Sequence, residues 1–574
     1  MLALRVALLT ALVVASAGAH AAAPAPARSS RGMVVSPQAD ATRAGVQVLQ
    51  SGGNAIDAAI AVSLALGVTD PHHSGIGGGG FLLIRLADGR SFAIDARETA
   101  PAAATRDMFV APGVAKDASR FGALSIATPS LLAGLALAHE RYATRPWAEL
   151  VAPAIRLADE GFAVGPAHVG AVAFWQNAGL AARFPETARL QLPEGGAPIE
   201  PGFVLRQKDL AGTLRTIAAE GVRPFYEGPL AQAIAAEVQR QGGLLTPLDL
   251  ALYRPKLREP IRGTYRGLDV LSFPPPSSGG VALVEMLNVL EGFPLGELGA
   301  GSSASTHRIA EAMKLAFADR NTYLGDVDFV DVPVADLIAK PYAEALRRRI
   351  DPPRWRRAPW TWGRSEIAAR VTGPGEPAHG GGTTHFSVAD AAGNAVAVTQ
   401  TVNLIFGSGI TVPGTGIVLN DQMDDFSVAP NVPNAFGLID TRGANAIAPG
   451  KRPLSSMTPT IVVRDGKPFI VSGSPGGPRI ITTTLLTLLN VIDYRMNASE
   501  AVAAPRIHHQ WQPDVLEVEP DTVADVIDGL RARGHTVSVA DRRWASAQLI
   551  AIDPATGRFT GASDPRSDGL ALGP

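Results

Sequence analysis

The sequence predicts a layered α+β sandwich, and three observations point to it. Helical stretches dominate from about residue 125 to 345, the pattern turns strand-rich after residue 383, and helix returns among the last strands. Runs of helices, then strands, then helices fit stacked layers around shared cores. A chain of 574 residues with 60 Gly and 45 Pro has many turns and close backbone approaches, more than a helical bundle needs. Its composition, 46% hydrophobic and 18% charged, supports sizeable cores in one large or several ordinary domains. The net charge of −2 gives no general attraction to polyanions, so nucleic acid is not an expected partner.

The elements follow in order. Arg5, the apolar run Val6 to Ala15 and the small residues Ala17-Gly18-Ala19 and Ala19-His20-Ala21 predict a signal peptide over residues 1–21. The apolar run is too short to span a bilayer comfortably, so the expectation is export, periplasmic or secreted, without a stable membrane span. Export permits disulfides, yet Cys is 0, which excludes a thiol nucleophile and a zinc–thiolate site. Ala22 to Arg31 reads as a leader without regular structure. Asp40 to Gln50 reads as a helix stopped by Ser51-Gly52-Gly53, and Asn54 can cap the next, Ala55 to about Leu66. Phe81 to Leu86, a turn at Asp88-Gly89 and Ser91 to Asp95 form a hairpin pattern. Helices are expected at Leu131 to Arg141, Leu230 to Gln241, Val281 to Leu290 and Thr306 to Ala318. Residues 351 to 382 resist regular structure, and an exposed segment of that kind tolerates cleavage. Thr384 to Ala389 and Ala395 to Thr401 read as a hairpin, Thr460 to Val463 and Pro468 to Ser472 as another. A helix is expected at Ile480 to Val491, and a last strand pair near Thr536–Val539 and Ala547–Ile552.

The chemistry centres on Thr383, in the run His379-Gly380-Gly381-Gly382-Thr383-Thr384-His385. A flexible glycine tract meets a hydroxyl at the head of a strand. Cutting at Gly382–Thr383 would give threonine a free α-amine as its own base, with a pKa of roughly 7.7–8.0, close to the optimum for proton transfer near neutral pH. Taken alone, the run is equally a glycine-rich loop entering an ordinary strand, and that plainer arrangement is the commoner one.

Five motifs in order change the balance: Asp95-Ala96-Arg97-Glu98, Thr383-Thr384-His385, Asn420-Asp421-Gln422-Met423-Asp424-Asp425-Phe426, Arg452-Pro453-Leu454-Ser455-Ser456-Met457 and Gly473-Ser474-Pro475-Gly476-Gly477. On these the chain resembles the γ-glutamyltransferases (γ-glutamyl transpeptidases, glutathione hydrolases) of the N-terminal-nucleophile hydrolase superfamily, from about Gly32 to Pro565. The resemblance implies a four-layered αββα sandwich built from two subunits of one self-cutting precursor. The large subunit would run from residue 22 to 382, the small subunit from Thr383 to Pro574, and the two would remain together as a heterodimer.

The resemblance also assigns roles. Thr383 is the nucleophile, for its own peptide bond and then for substrate, with Gly382–Thr383 the cleavage site. Thr401 supports it, and Gly476 and Gly477 form the oxyanion hole. Arg97, Ser455 and Ser456 hold the substrate α-carboxylate; guanidinium suits that bidentate task. Asn403, Gln422 and Asp425 match the ammonium side. Phe436 stands on a lid between Pro430 and Pro449 where some members carry tyrosine, so a hydroxyl bond to Asn403 is lost. The implied substrates are glutathione and other γ-glutamyl compounds, with water, amino acids or peptides as acceptors.

Other patterns carry less. Gly77 to Gly80 lacks a following Lys-Ser/Thr and is no P-loop, so close packing at a chain reversal is expected. Ser472 to Gly476 lacks the first glycine of a nucleophile elbow. His72-His73 and His508-His509 are adjacent pairs that would point apart on regular elements, so no metal and no cofactor is expected. Two rivals remain: an amide acylase of the same fold, such as a cephalosporin acylase, and a secreted binding protein with a decayed site.

Overall fold

The computed structural model describes residues 23–193, 197–350, 381–429 and 431–574. The expected signal peptide, nearly all of the 351–382 segment and Pro430 at the head of the lid lie outside the described residues.

Fourteen strands form two seven-stranded sheets: β1 (Ala27–Ser29), β2 (Gly32–Ser36), β3 (Gly79–Arg85), β4 (Ser91–Ala96), β5 (Lys256–Arg258), β6 (Ile261–Tyr265), β7 (Leu268–Ser272), β8 (Gly382–Asp390), β9 (Ala395–Asn403), β10 (Thr460–Arg464), β11 (Lys467–Gly473), β12 (Gln548–Ile552), β13 (Phe559–Ser563) and β14 (Leu570–Leu572). One sheet has the order β14-β2-β8-β9-β3-β4-β5, the other β1-β13-β12-β11-β10-β7-β6. Neighbouring strands are antiparallel throughout.

Strand alternation builds the layers. In β3, Leu82 and Ile84 join a core with helix Ala55–Thr69, while Phe81 and Leu83 meet Leu271, Ile461 and Val471 of the other sheet. The rings of Phe81 and Phe273 stack across the two sheets with centroids 4.0 Å apart. On the far side Val270, Val462, Ile470 and Leu549 pack against helices Gly279–Leu290 and Arg479–Ile492. A period of two with both faces buried is what inner sheets require, and the result is helix, sheet, sheet, helix. The predicted four layers are therefore present.

Helix Ala55–Thr69 starts where the sequence places it. Asn54 Oδ1 accepts from Ile56 N at 2.8 Å and Asp57 N at 2.9 Å, and Asp57 Oδ2 accepts from Asn54 N at 2.8 Å, a reciprocal cap. The predicted hairpins appear as β3–β4, β8–β9 and β10–β11. The Gly77–Gly80 run packs closely, with Gly78 against the Thr401 carbonyl.

Three expectations need correction. The leader is structured from Ala27, because β1 pairs with β13 and closes a sheet edge. Strands β5, β6 and β7 interrupt the helical region. The turn joining β6 to β7 is Arg266-Gly267, with φ of 52° and 77°; these are the left-handed values that two-residue hairpins favour, hidden because arginine is an unusual first turn residue. Last, Thr536–Val539 and Ala547–Ile552 do not pair. Val537–Val539 lies parallel to Leu516–Val518 in a separate sheet, while β12 sits between β11 and β13. The buried start of β12 suits a sheet interior, whereas Ser538 and Val539 are exposed.

Candidate active site

Register aligns the ends of four adjacent strands. Thr383 on β8 faces Thr401 on β9, Thr401 faces Gly79 on β3, and Gly80 faces Ala96 on β4, so Arg97 follows level with Gly79. Alternation turns Thr383 and Thr401 toward the space between the sheets, with Ala389, Ala395 and Ala397. Thr384 and Gln400 turn to the helical side, where Gln400 meets Ser63.

The chain described is uncleaved, and its hydrogens at Thr383 can be assigned. Thr401 Oγ1 lies 2.6 Å from the Gly382 carbonyl oxygen, 2.8 Å from Thr383 Oγ1 and 2.9 Å from Asn403 N. A carbonyl only accepts and a backbone N–H only donates. Thr401 therefore donates its one hydrogen to Gly382 O, and Thr383 donates to Thr401. The hydroxyl that withdraws the nucleophile's hydrogen also polarises the carbonyl beside it. Immediately before, Thr383 N donates to Gly381 O at 2.9 Å, a tight reversal. Only glycine fits at 382, since a β-carbon there would stand 2.1 Å from the Leu404 carbonyl oxygen.

Arg97 is fully buried. Its Nε donates to Pro453 O at 3.0 Å and its Nη2 pairs with Asp425 Oδ2, which also accepts from Gln422 Nε2 at 2.8 Å. Asn445 ties this corner together: its Nδ2 donates to Asp425 O at 2.7 Å and its Oδ1 accepts from Leu454 N at 2.9 Å. Ser455 and Ser456 follow. The Ser455 carbonyl accepts from the N–H and hydroxyl of Ser278, each at 2.7 Å, and its Oγ accepts from Met457 N at 3.0 Å. Ser456 Oγ has no hydrogen-bond partner among the described residues. Asn403 has a positive φ of 84° and its Nδ2 lies 3.2 Å from Asp421. Burial pushes the Asp421 carboxyl well above the usual range.

Gly476 and Gly477 leave β11 with φ of 125° and 56° and lead into helix Arg479–Ile492. Their carbonyls accept from Arg479 N and Ile480 N at 3.0 and 3.1 Å. Neither of their own N–H groups donates to a partner among the described residues. The Phe436 ring lies against both Gly477 and Gly381: added β-carbons would stand 2.6 and 2.8 Å from it. One ring thus bridges the glycine turn and the residue two before Thr383.

Sequence reasoning missed four residues here. Asp424 is buried, accepting from Ser119 Oγ at 2.6 Å and from Ala435 N at 2.9 Å, so it holds the segment beside Phe436. Gln510 Nε2 donates to the Phe436 and Gly437 carbonyls at 3.3 and 3.2 Å, and its Oε1 lies 3.0 Å from His508 Nε2. Glu98 lies 3.6 Å from Arg97 Nη1, neither of its carboxyl oxygens has a hydrogen-bond partner among the described residues, and burial, against the pull of Arg97, raises it to about 8. Asp424 and Glu98 sit inside motifs already singled out; Asn445 and Gln510 carried no local signal.

The histidine pairs divide. His508 and His509 do point apart, to Thr482 and Asp514. His72 and His73 are not on a regular element. They lie in a turn in which His73 N and Ser74 N both donate to Asp70 O, at 3.0 and 3.1 Å, so the premise that separated them does not hold. Against the cost of burial, His73 and His72 hold the Asp70 carboxyl down at about 2. Burial holds His72 well below its usual value and His168 at about 4.

A face-to-face pair of sheets between helices, with a threonine hydroxyl at the head of an inner strand, defines the N-terminal-nucleophile hydrolase architecture. The chain belongs to the γ-glutamyltranspeptidase family, whose model matches residues 41–573. The glutathione hydrolase proenzyme of Escherichia coli (strain K12) is 46% identical to it over 96% of this chain and 93% of that protein. The glutathione hydrolase proenzyme of Pseudomonas sp. (strain A14) is 45% identical over 99% and 98%. Among solved structures, a cephalosporin acylase from Bacillus halodurans superposes with a TM-score of 0.82 at 31% identity, over 97% and 98% of the two chains.

Proposed function

We propose that the protein is an exported, self-processing γ-glutamyltransferase acting on glutathione and related γ-glutamyl amides. The observation that carries the substrate class is the paired charge at Arg97 and Asp425, buried at the end of the strand row that begins with Thr383. A γ-glutamyl group ends in a zwitterionic head, which needs one cation for its carboxylate and one carboxylate for its ammonium. Three steps between neighbouring strands, roughly 14 Å, separate the backbones of Thr383 and Arg97. An arginine side chain and a glutamyl chain of four bonds of about 1.5 Å fit that interval.

The first turnover is internal. Thr383 Oγ1 attacks the Gly382 carbonyl carbon, the C–N bond to Thr383 breaks, and its nitrogen takes the proton that the hydroxyl gave up. Water then opens the resulting ester, giving a Gly382 carboxylate and a free Thr383 hydroxyl and amine. Later turnovers repeat the attack on a substrate γ-carbonyl. The amine now serves as base, and the leaving amine takes the proton. Gly476 and Gly477 N–H groups stabilise the oxyanion, a contribution of about 3–4 kcal/mol per donor in such sites. Ser455 and Ser456 join Arg97 at the carboxylate, Asn403 and Gln422 join Asp425 at the ammonium, and Phe436 covers the pocket. Water or an acceptor amine then takes the acyl group. The reading includes a heterodimer of residues 22–382 and 383–574, and export by the 1–21 segment. Among the described residues no helix is long and apolar enough to cross a membrane.

The cephalosporin acylase neighbour sustains a second reading, an acylase whose substrates lack the α-amine. The deciding experiment pairs N-terminal sequencing of the purified protein with kcat/KM for a γ-glutamyl anilide and its glutaryl counterpart. A fragment beginning Thr383-Thr384-His385 and a strong preference for the γ-glutamyl compound are expected. Preference for the glutaryl compound would favour the acylase, and an uncut, inactive chain would overturn both.

A further inference from the structure

Behind the nucleophile strand lies a group of side chains the reaction does not use. Asp70, His72 and His73 are brought together by the turn that follows helix Ala55–Thr69, and one ligand-capable atom from each lies within 4.8 Å of the other two. Asp70 Oδ1 is 3.2 Å from His72 Nε2 and 2.9 Å from His73 Nδ1. Bonds of about 2.0–2.1 Å to a tetrahedral zinc ion place neighbouring ligand atoms roughly 3.3 Å apart, so two edges of such a shell are already close to length.

The second observation is independent of those distances. His72 and His168 are fully buried, and all four of their ring nitrogens lack a hydrogen-bond partner among the described residues. The His168 ring stands edge-on to His72 with centroids 5.1 Å apart. Buried polar atoms are normally satisfied, and a concentration of orphans asks for a missing partner. Within the cluster His73 bonds Asp70 at 2.9 Å, His72 Nε2 stands 3.2 Å from the same oxygen and Thr384 reaches the Asp70 carboxylate, yet the His168 ring bonds none of them. The other candidate group, His307, Glu311 and His535, has a 2.8 Å contact between its two imidazoles and is only half-buried.

We propose that Asp70, His72 and His73 bind a divalent transition metal, zinc by their nitrogen and oxygen donor set, with His168 closing the fourth side after a turn of its ring. Imidazole and carboxylate donors suit Zn2+. The His73 side chain, 26% exposed, provides the way in. The site is structural. The His72 carbonyl accepts from Phe406 N and the His73 carbonyl from Val402 N, each at 3.1 Å, and a β-carbon on Gly382 would stand 3.0 Å from the His72 oxygen. A metal that fixes this turn braces the backbone on both sides of the Thr383–Thr401 pair without touching substrate. The inference stands whichever acyl group the enzyme prefers.

The test uses the purified, processed protein, stripped with a chelator and titrated with Co2+, which reports a tetrahedral site by its visible absorption. Expected are uptake approaching one Co2+ per processed chain, displacement by Zn2+, and a rise in Tm on loading. His73→Ala should keep the fold, since that side chain is partly exposed. It should lose the band and the Tm rise, with affinity falling beyond the roughly 10–100-fold typical of losing an outer partner. Asp70→Asn, close in shape, should do the same, and His535→Ala should leave the band intact. No band in the wild-type protein, or a band that survives both His73→Ala and Asp70→Asn, would overturn the site. A band lost only in His535→Ala would move the metal to the other cluster and overturn it equally.

Discussion

The two ends of the strand row are built on opposite plans. At Thr383 there is no charge: two hydroxyls and a carbonyl settle one another's hydrogens. At Arg97 the corner is ionic, and its two opposite charges are spent on each other. A buried pair of this kind is costly to break from one side, because the survivor is left uncompensated. A zwitterion that inserts its carboxylate at Arg97 and its ammonium at Asp425 exchanges one internal pair for two. On the proposed function the first end serves chain cleavage and the second substrate recognition, and variants at the two ends should separate accordingly.

The largest effect belongs to Thr383→Ala. The chain should run as one uncut band, with γ-glutamyl transfer reduced on the order of 10^5-fold or more, as when a sole nucleophile is removed. Thr401→Val comes next. It removes a donor from the carbonyl under attack, so the half-time of chain cleavage should lengthen about 10^2–10^3-fold, while Thr401→Ser recovers most of it; equal cleavage by Val and Ser would dismiss the hydroxyl's role. Asp425→Asn sharpens the contrast. Cleavage should proceed at the wild-type rate, because Asp425 touches neither Thr383 nor Gly382, yet kcat/KM for γ-glutamyl donors should fall roughly 10^2–10^3-fold, the equivalent of about 3–4 kcal/mol. Slowed cleavage in this variant would erase the distinction between the two ends.

The smallest effect is electrostatic and concerns Glu98. Burial raises its carboxyl from 4.5 to about 8 in the fold, so the folded chain holds that proton more tightly than the unfolded one. The associated stability is complete below the unfolded value and is lost as pH rises through about 8. Tm measured against pH should therefore decline more steeply between those limits in wild type than in Glu98→Gln, which cannot ionise. Parallel curves would mean that Arg97 keeps Glu98 ionised after all.

Much of this was legible in the sequence, for local reasons. Asn54 announces its helix because a cap is a short-range bond, and the β8–β9 hairpin announces its register because the turn between Asp390 and Asn394 sets it. That register alone sets Thr383 against Thr401. Strand β1 was not legible: Ala27–Ser29 has the composition of a loose tail, and only its partner β13, more than 500 residues away, makes it a strand. The mutual pairing of Arg97 and Asp425 is hidden for the same reason, since the two residues stand 328 positions apart in the chain. Adjacent histidines point apart on helices and strands, whereas His72 and His73 follow Asp70 around a turn.

Phe436 carries a consequence for how the enzyme begins its life. Its ring rests on Gly381 and Gly477 together, so Gly381, two residues ahead of Thr383, lies in the space the ring covers. A covalently attached occupant has an effective concentration that dissolved competitors cannot match. Cutting the Gly382–Thr383 bond turns that occupant into an ordinary ligand, one that can dissociate and be diluted away. On the proposed cleavage, activation has two clocks, bond cleavage and departure of the severed end. A freshly cut enzyme would show a lag in γ-glutamyl turnover, set by how slowly Gly381 and Gly382 leave the ring.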